Sequence, residues 1–166
     1  KYLGNLPESI ACYVRAIACD PDNAMLHSNA LLLHYYGTTT SHEALFARHT
    51  AWAERYAAHF YPKQPAWPNV RDAGRPLSIG YLSGSLDGRV LGHFLRNVFV
   101  HHDRAQSAAY GYSATKHADA TTDELKRAFD HWRDVRTLDD GAVAAQIAKD
   151  GIDILVDLDG HTPDAR

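Results

Sequence analysis

Residues 151–162 read GIDILVDLDGHT. Gly151 opens into a run of β-branched and apolar residues, and the pattern predicts a strand from Ile152 to Leu158. Ile154, Leu155 and Val156 are continuously apolar, as in a parallel strand covered on both faces. Asp157 and Asp159 frame the strand's last residues, and Gly160-His161-Thr162 stops it. Open parallel sheets bind ligands beyond the carboxyl ends of their strands, so this polar cluster falls where a site is expected. Aspartate is also a favoured turn and cap residue, so either acid taken alone reads equally well as turn chemistry.

Upstream, strands and helices alternate. LSIGYLS (77–83) reads as a strand and Val90 to Val100 as a helix. AAYGYS (108–113) is a strand, and Thr122 to Asp130 a helix capped by one of the threonines. HWRDV (131–135) is a short strand, and Asp139 or Asp140 caps a helix through Lys149. The order β-α-β-α-β-α-β predicts a Rossmann-like parallel sheet with crossover helices. Ser83, Gly84, Ser85, Asp87 and Gly88 follow the first strand, at the same edge as Asp157 to His161, which suggests one shared cleft.

The first sixty residues read as helix. Pro7 suits a first helical turn, and Ile10, Tyr13, Val14 and Ile17 make one apolar face. Asp20-Pro21-Asp22 ends that helix, and a second runs from about Asn23 to Tyr36, with Gly37 as its stop. Thr40 to Glu43 fits a capping box for a third helix, which carries Leu45, Phe46, His49, Trp52 and Tyr56. Four prolines and Gly74 make 61–76 a linker, so the division is 1–60, 61–76 and 77–166.

Bulk properties narrow the function. The chain has 166 residues, 45% of them apolar, and a formal charge of −3, which argues against a nucleic-acid partner. No apolar run approaches the ~20 residues that cross a bilayer, so no membrane partner is expected. Cys12 and Cys19 would lie about 10 Å apart on one helix, too far to bridge. Free thiols suit a reducing compartment, so a cytoplasmic location is expected. The eleven histidines show no HxxxH spacing and the cysteines no CxxC, so no metal site is expected. SGSLDG (83–88) lacks the glycine spacing of a dinucleotide or P-loop fingerprint, so no such cofactor is expected.

Two resemblances add to this reading. Ser9, Tyr13, Ala16 and Pro21, with Gly4 before them, resemble the second half of a tetratricopeptide repeat. The ordered blocks HSN (27–29), ARHTAWAERYA (47–57), RPLSIGYLS (75–83), HHDR (101–104), DHWRDV (130–135) and DGIDILVDLDGHT (150–162) resemble bacterial members of the O-GlcNAc transferase family. That family joins helical repeats to a GT-B catalytic domain of two Rossmann-like lobes. The resemblance implies an α/β chain: tetratricopeptide-like helices, then the first, incomplete lobe of a glycosyltransferase. It also implies truncation, because the chain starts at Lys1 rather than Met and stops four residues after the quoted stretch.

By that resemblance the parent would transfer N-acetylglucosamine from UDP-GlcNAc to serine or threonine of an acceptor protein, with inversion. The repeats would bind the acceptor. The donor would sit mainly on the absent second lobe, so the fragment alone would be inactive. His161, Arg89 and His93 become candidate catalytic residues, and Ser85, Asp157, Asp159, Gly160 and Thr162 candidate substrate contacts. The family's Asp-Phe-x-x-His-x-x-Gly-x-Phe segment departs here: Ser85, Leu86 and Arg89 stand at its aspartate, phenylalanine and histidine, while Gly92 and Phe94 match. Arginine keeps its proton and cannot act as a general base. The alternatives are a non-catalytic scaffold with a degenerate lobe, or a peptide-binding module formed by the helices. His93 also reads simply as a helix residue that packs or faces water.

Overall fold

The structure, a computed structural model, describes residues 4–37, 40–61, 68–162 and 165. It falls into two compact units. One holds the chain up to Tyr61 together with His161 and Thr162; the other runs from Pro68 to Gly160. Residues 62–67 of the proline-rich stretch lie outside the described residues.

The helical unit contains α1 (Leu6–Cys19), α2 (Ala24–His34), α3 (His42–Tyr56) and a 3₁₀ turn, Ala58–Phe60. Each α-helix starts on a side-chain cap, as orphaned first-turn amides require. Asn5 accepts from the Glu8 amide, Asn23 from Leu26 and Ser41 from Ala44. The third cap is Ser41, not the expected Thr40; the helix begins one residue later and the Thr40–Glu43 box does not form. Leu31 and Leu33 of α2 are buried. Three contacts tie α3 to the start of α2 and the turn before it: Trp52 Nε1 donates to the Ala24 carbonyl at 3.3 Å, Tyr56 to that of Pro21 at 3.3 Å, and Arg55 to Asp22 at 2.7 Å. Cys12 and Cys19 are free and exposed.

The sheet unit alternates β1 (Leu77–Ser83), α4 (Val90–Val100), β2 (Ser107–Ser113), α5 (Ala120–Ala128), β3 (His131–Asp134), α6 (Asp140–Lys149) and β4 (Ile154–Asp157). All described pairings are parallel, in the order β3-β2-β1-β4. One layer of core joins Leu95 and Phe99 of α4 and Leu125 of α5 to Leu86, Ala109 and Phe129, with Tyr81 against them. On the other side Tyr112, Val135 and Val143 pack with Leu82, Ile147 and Ile152, so α6 covers that face. Gly80 of β1 packs tightly against the α6-side layer: a Cβ there would lie 3.0 Å from the Tyr112 ring and 3.2 Å from Ile152 and Leu155.

Two expectations are corrected. The α5 helix begins at Ala120, and its cap is Asp119, which closes a capping box with Thr122. The threonine supplies the reciprocal bond rather than the cap. β4 is shorter than expected, and Ile154 and Leu155 are about half exposed, at 46% and 48%. β4 stands at the end of the strand order and pairs with β1 alone, so an apolar run here does not mean cover on both faces.

Residues 69–75 are bonded to the sheet. Asp153, just before β4, accepts Arg75 through both oxygens at 2.7 and 2.5 Å, the Ser78 amide at 2.9 Å and Asn69 Nδ2 at 2.6 Å. These contacts, Arg75 first, hold the Asp153 carboxyl well below the ordinary carboxylate range. Its contribution is therefore fully present above its unfolded pKa, near ~3.9, and is lost as pH falls below that toward the depressed folded value. Asp153→Asn is expected to lower Tm by roughly 5 °C at pH 7. The gap from the native chain should close as the pH is taken below about 4, read by thermal melts across pH. A pH-independent gap would contradict this account.

Candidate functional site

The strand order reverses between β1 and β4, because β2 and β3 build away from β1 on one side while β4 joins on the other. Loops leaving two strands at such a switch point diverge and leave a crevice outside their carboxyl ends. The β1 and β4 loops meet here through one side chain. Asp159 is buried, at 9% exposure, and accepts the Ser83 hydroxyl at 2.8 Å and the Gly84 amide at 2.6 Å. The Ser83 oxygen in turn accepts the Ser85 amide at 2.8 Å. Asp159 thus joins the two loops at the crevice, with both carboxylate oxygens engaged.

Further bonds shape residues 83–89. The Leu86 amide donates to Thr115 Oγ1 at 2.9 Å, and Thr122 Oγ1 donates to the Leu86 carbonyl at 2.8 Å. The Gly88 amide donates to Asp119 at 2.8 Å. The loop is therefore stitched to the loop after β2 and to the first turn of α5. Asp119 is held below the ordinary carboxylate range, first by the Thr122 amide and then by that of Gly88.

Arg89 caps α4 by position, without a side-chain cap bond. Its guanidinium folds back on Asp87, with Nε at 2.9 Å from one oxygen and Nη2 at 2.9 Å from the other, and Nη2 also donates to the Gly84 carbonyl at 3.1 Å. Asp87 is buried, at 5% exposure, so the arginine neutralises a desolvated carboxylate and braces its own loop. Replacing Arg89 with histidine would remove that partner. The Ser85 hydroxyl is half-buried and has no hydrogen-bond partner among the described residues. His93 is exposed on α4. Asp157 is exposed and accepts the amides of Asp159 at 2.9 Å and Gly160 at 3.3 Å, which is turn chemistry. Gly160 takes φ +56°, in the left-handed region that glycine enters at least cost.

The next two candidates lie in the helical unit. His161 bonds Ser28 Oγ through Nδ1 at 2.7 Å and His49 through Nε2 at 3.0 Å. Its ring also meets Trp52 edge-on, with centroids 5.4 Å apart. Thr162 is exposed. The structure therefore groups Ser85, Arg89, His93, Asp157, Asp159 and Gly160 on the sheet unit and His161 with α2 and α3. Sequence reasoning missed Thr115, Asp119, Ser28 and His49 as site-shaping groups. Only Asp119 carried a local signal, an aspartate three residues before a threonine at a helix start. Among the described residues no group of three or more His, Cys, Asp or Glu is placed to hold a metal ion, and no helix is long and apolar enough to cross a membrane.

A parallel sheet with helices on both faces and a crevice braced at a β1–β4 switch point is a Rossmann-like lobe. Residues 23–166 match the model of glycosyl transferase family 41, and the chain belongs to that family. It is 33% identical over 147 residues to the probable UDP-N-acetylglucosamine–peptide N-acetylglucosaminyltransferase SPINDLY of Arabidopsis thaliana, covering 86% of this chain and 16% of that protein. It is 30% identical over 96 residues to the UDP-N-acetylglucosamine–peptide N-acetylglucosaminyltransferase of Caenorhabditis elegans, covering 56% and 8%. A solved structure of a Thermobaculum terrenum O-GlcNAc transferase mutant matches with a TM-score of 0.89 at 37% identity, over 95% of this chain and 30% of that one. The resemblance read from the sequence blocks is borne out, and the chain spans about a sixth of the length of its plant relatives.

Proposed function

We propose that this chain is the junction of repeats and catalytic domain, with the first lobe, of a protein O-GlcNAc transferase. On this reading the whole protein moves N-acetylglucosamine from UDP-GlcNAc to a serine or threonine hydroxyl. The hydroxyl oxygen forms a bond to the anomeric carbon while the bond from that carbon to the UDP oxygen breaks on the opposite face, so configuration inverts. The hydroxyl proton must leave as the bond forms. Arg89 cannot take it. Both His161 ring nitrogens are engaged by Ser28 and His49, which leaves His93 as the candidate imidazole without a bonded partner among the described residues.

The observation that supports this reading is the braced crevice, Asp159 to Ser83 and Gly84, in a family 41 chain. In it the Ser85 hydroxyl is free to meet substrate, while Asp157, Asp159 and Gly160 set the loop's shape. The donor is held mainly by a second lobe, the acceptor polypeptide by the helical repeats, and no cofactor is required. Exposed free cysteines fit a reducing, cytoplasmic setting.

A second reading is favoured by a groove of about 330 Å³ among α1, α2 and α3. It is lined by Ile10, Val14, Ile17, Leu31 and Trp52, and includes Arg48 but no carboxylate. That suits a peptide-binding module whose lobe is no longer catalytic. A transfer assay separates the two, using the whole gene product that carries this chain, a panel of nucleotide sugars and a peptide library. Transfer from UDP-GlcNAc that is absent with residues 1–166 alone is expected. No turnover and no sugar-nucleotide binding by the whole product, with peptide binding intact, would establish the module instead.

A further inference from the structure

The helical unit holds a chain of four polar side chains that the transfer reading does not use. Ser28 Oγ lies 2.7 Å from His161 Nδ1, His161 Nε2 lies 3.0 Å from His49 Nδ1, and His49 Nε2 lies 3.0 Å from the Tyr35 hydroxyl. The two imidazole centroids are 4.8 Å apart, and Trp52 packs edge-on against His161. His161 is 112 residues from His49 and 133 from Ser28 in sequence, so the chain is a tertiary feature and not a turn motif.

We propose that this chain is a neutral-imidazole latch that seats residues 161–162 on α2 and α3 and releases them in acid. The physical basis is the central N–H···N bond. A bond between two imidazoles needs a lone pair on one of them. With both rings neutral, every nitrogen is satisfied: Tyr35 donates to His49, His49 to His161, and His161 to Ser28, or the whole sequence runs in reverse. One added proton is tolerated, because a protonated His161 can donate to both His49 and Ser28. Two added protons are not. Two N–H groups then face each other across 3.0 Å, each ring carries a positive charge, and the bond becomes a repulsion.

The groups that α2 presents to the pair are Ser28 and Tyr35, and α3 presents His49 and Trp52. Arg48 adjoins His49 in the α3 sequence and, after burial, is the second cause that lowers the proton affinity of His34 on α2. A lone imidazole changes charge between pH 5 and 8, and the first charge on a facing pair opposes the second, so release belongs at the acid end of that range.

The test is an NMR titration of the 166-residue chain, following the nuclear Overhauser cross-peak between the His161 ring and the Trp52 indole. It is expected at pH 7.5 and should fall at least about fivefold by about pH 4.5. The Trp52–Tyr56 cross-peak, between rings 5.7 Å apart on α3, should persist and so report an intact helix. His49→Gln replaces the imidazole with an amide that can accept from His161 and donate to Tyr35 but cannot charge. Its His161–Trp52 cross-peak is expected at both pH values. Should that variant not fold, the native titration decides alone. An unchanged native cross-peak, loss of the Trp52–Tyr56 peak in parallel, or an equal acid response in His49→Gln would each overturn the latch.

Discussion

Replacing Gly92 with alanine is expected to cost the sheet unit about 3 kcal/mol. In a unit of this size that corresponds to roughly 12–24 °C in Tm. Gly92 sits in the first turn of α4, where alanine ordinarily stabilises a helix by up to ~1 kcal/mol. Here a Cβ would lie 1.9 Å from the Asp87 carbonyl oxygen, 2.9 Å from its carbon and 3.1 Å from Thr121. The obstacle is backbone, held by the Asp87–Arg89 pair and the Gly88–Asp119 bond, so it cannot swing aside as a side chain would. Either α4 moves away from Leu86 and Tyr81 or the 83–89 loop gives up its shape. Gly141 provides the contrast. It lies in the first turn of α6, and a Cβ there meets only an Asp139 side-chain oxygen at 3.3 Å. Gly141→Ala should be neutral or stabilising by up to ~1 kcal/mol. Urea melts of the pair check this, and equal effects at both sites would remove the close-approach explanation.

Asp159→Ala should cost about 2–4 kcal/mol. It strips the acceptor from two donors in a site with little water, the Ser83 hydroxyl and the Gly84 amide. Asp159→Asn should cost less, because its carbonyl can still accept the Gly84 amide, while its NH₂ group can donate to Ser83 but not accept from it. The loss should be coupled: Ser83→Ala made on top of Asp159→Ala should add little, whereas on the native background it costs its full amount. Strictly additive losses would show that the bridge is not the connection between the two loops.

The alternation of strands and helices was legible because each element carries its own period. The α4 boundaries, Val90 to Val100, follow from an apolar face between a glycine-rich turn and paired histidines. Helix starts were less legible. Ser41 and Thr40 are adjacent hydroxyls, and Asp119 precedes two threonines, so several residues offered the same chemistry and only the backbone path selects one. The exposure of Ile154 and Leu155 could not be read from their apolarity, because that depends on where β4 stands in the strand order. In the candidate site, sequence placed the polar clusters at the right strand ends but did not separate ligands from struts. Asp159 looks identical to Asp157 in a string of letters. One is buried between two loops, and the other is an exposed turn residue. His161 was assigned by its neighbours in sequence, whereas its bonded partners are Ser28 and His49, far up the chain.

On the proposed function, the crevice at the β1–β4 switch point is the working edge of a transferase lobe. Hydrogen–deuterium exchange on the whole gene product tests it most directly, comparing free protein with protein saturated by UDP-GlcNAc and an acceptor peptide. Slowed exchange concentrated in residues 83–89 and 158–160 is expected. Slowed exchange confined to the helices, with those two loops unchanged, would contradict it.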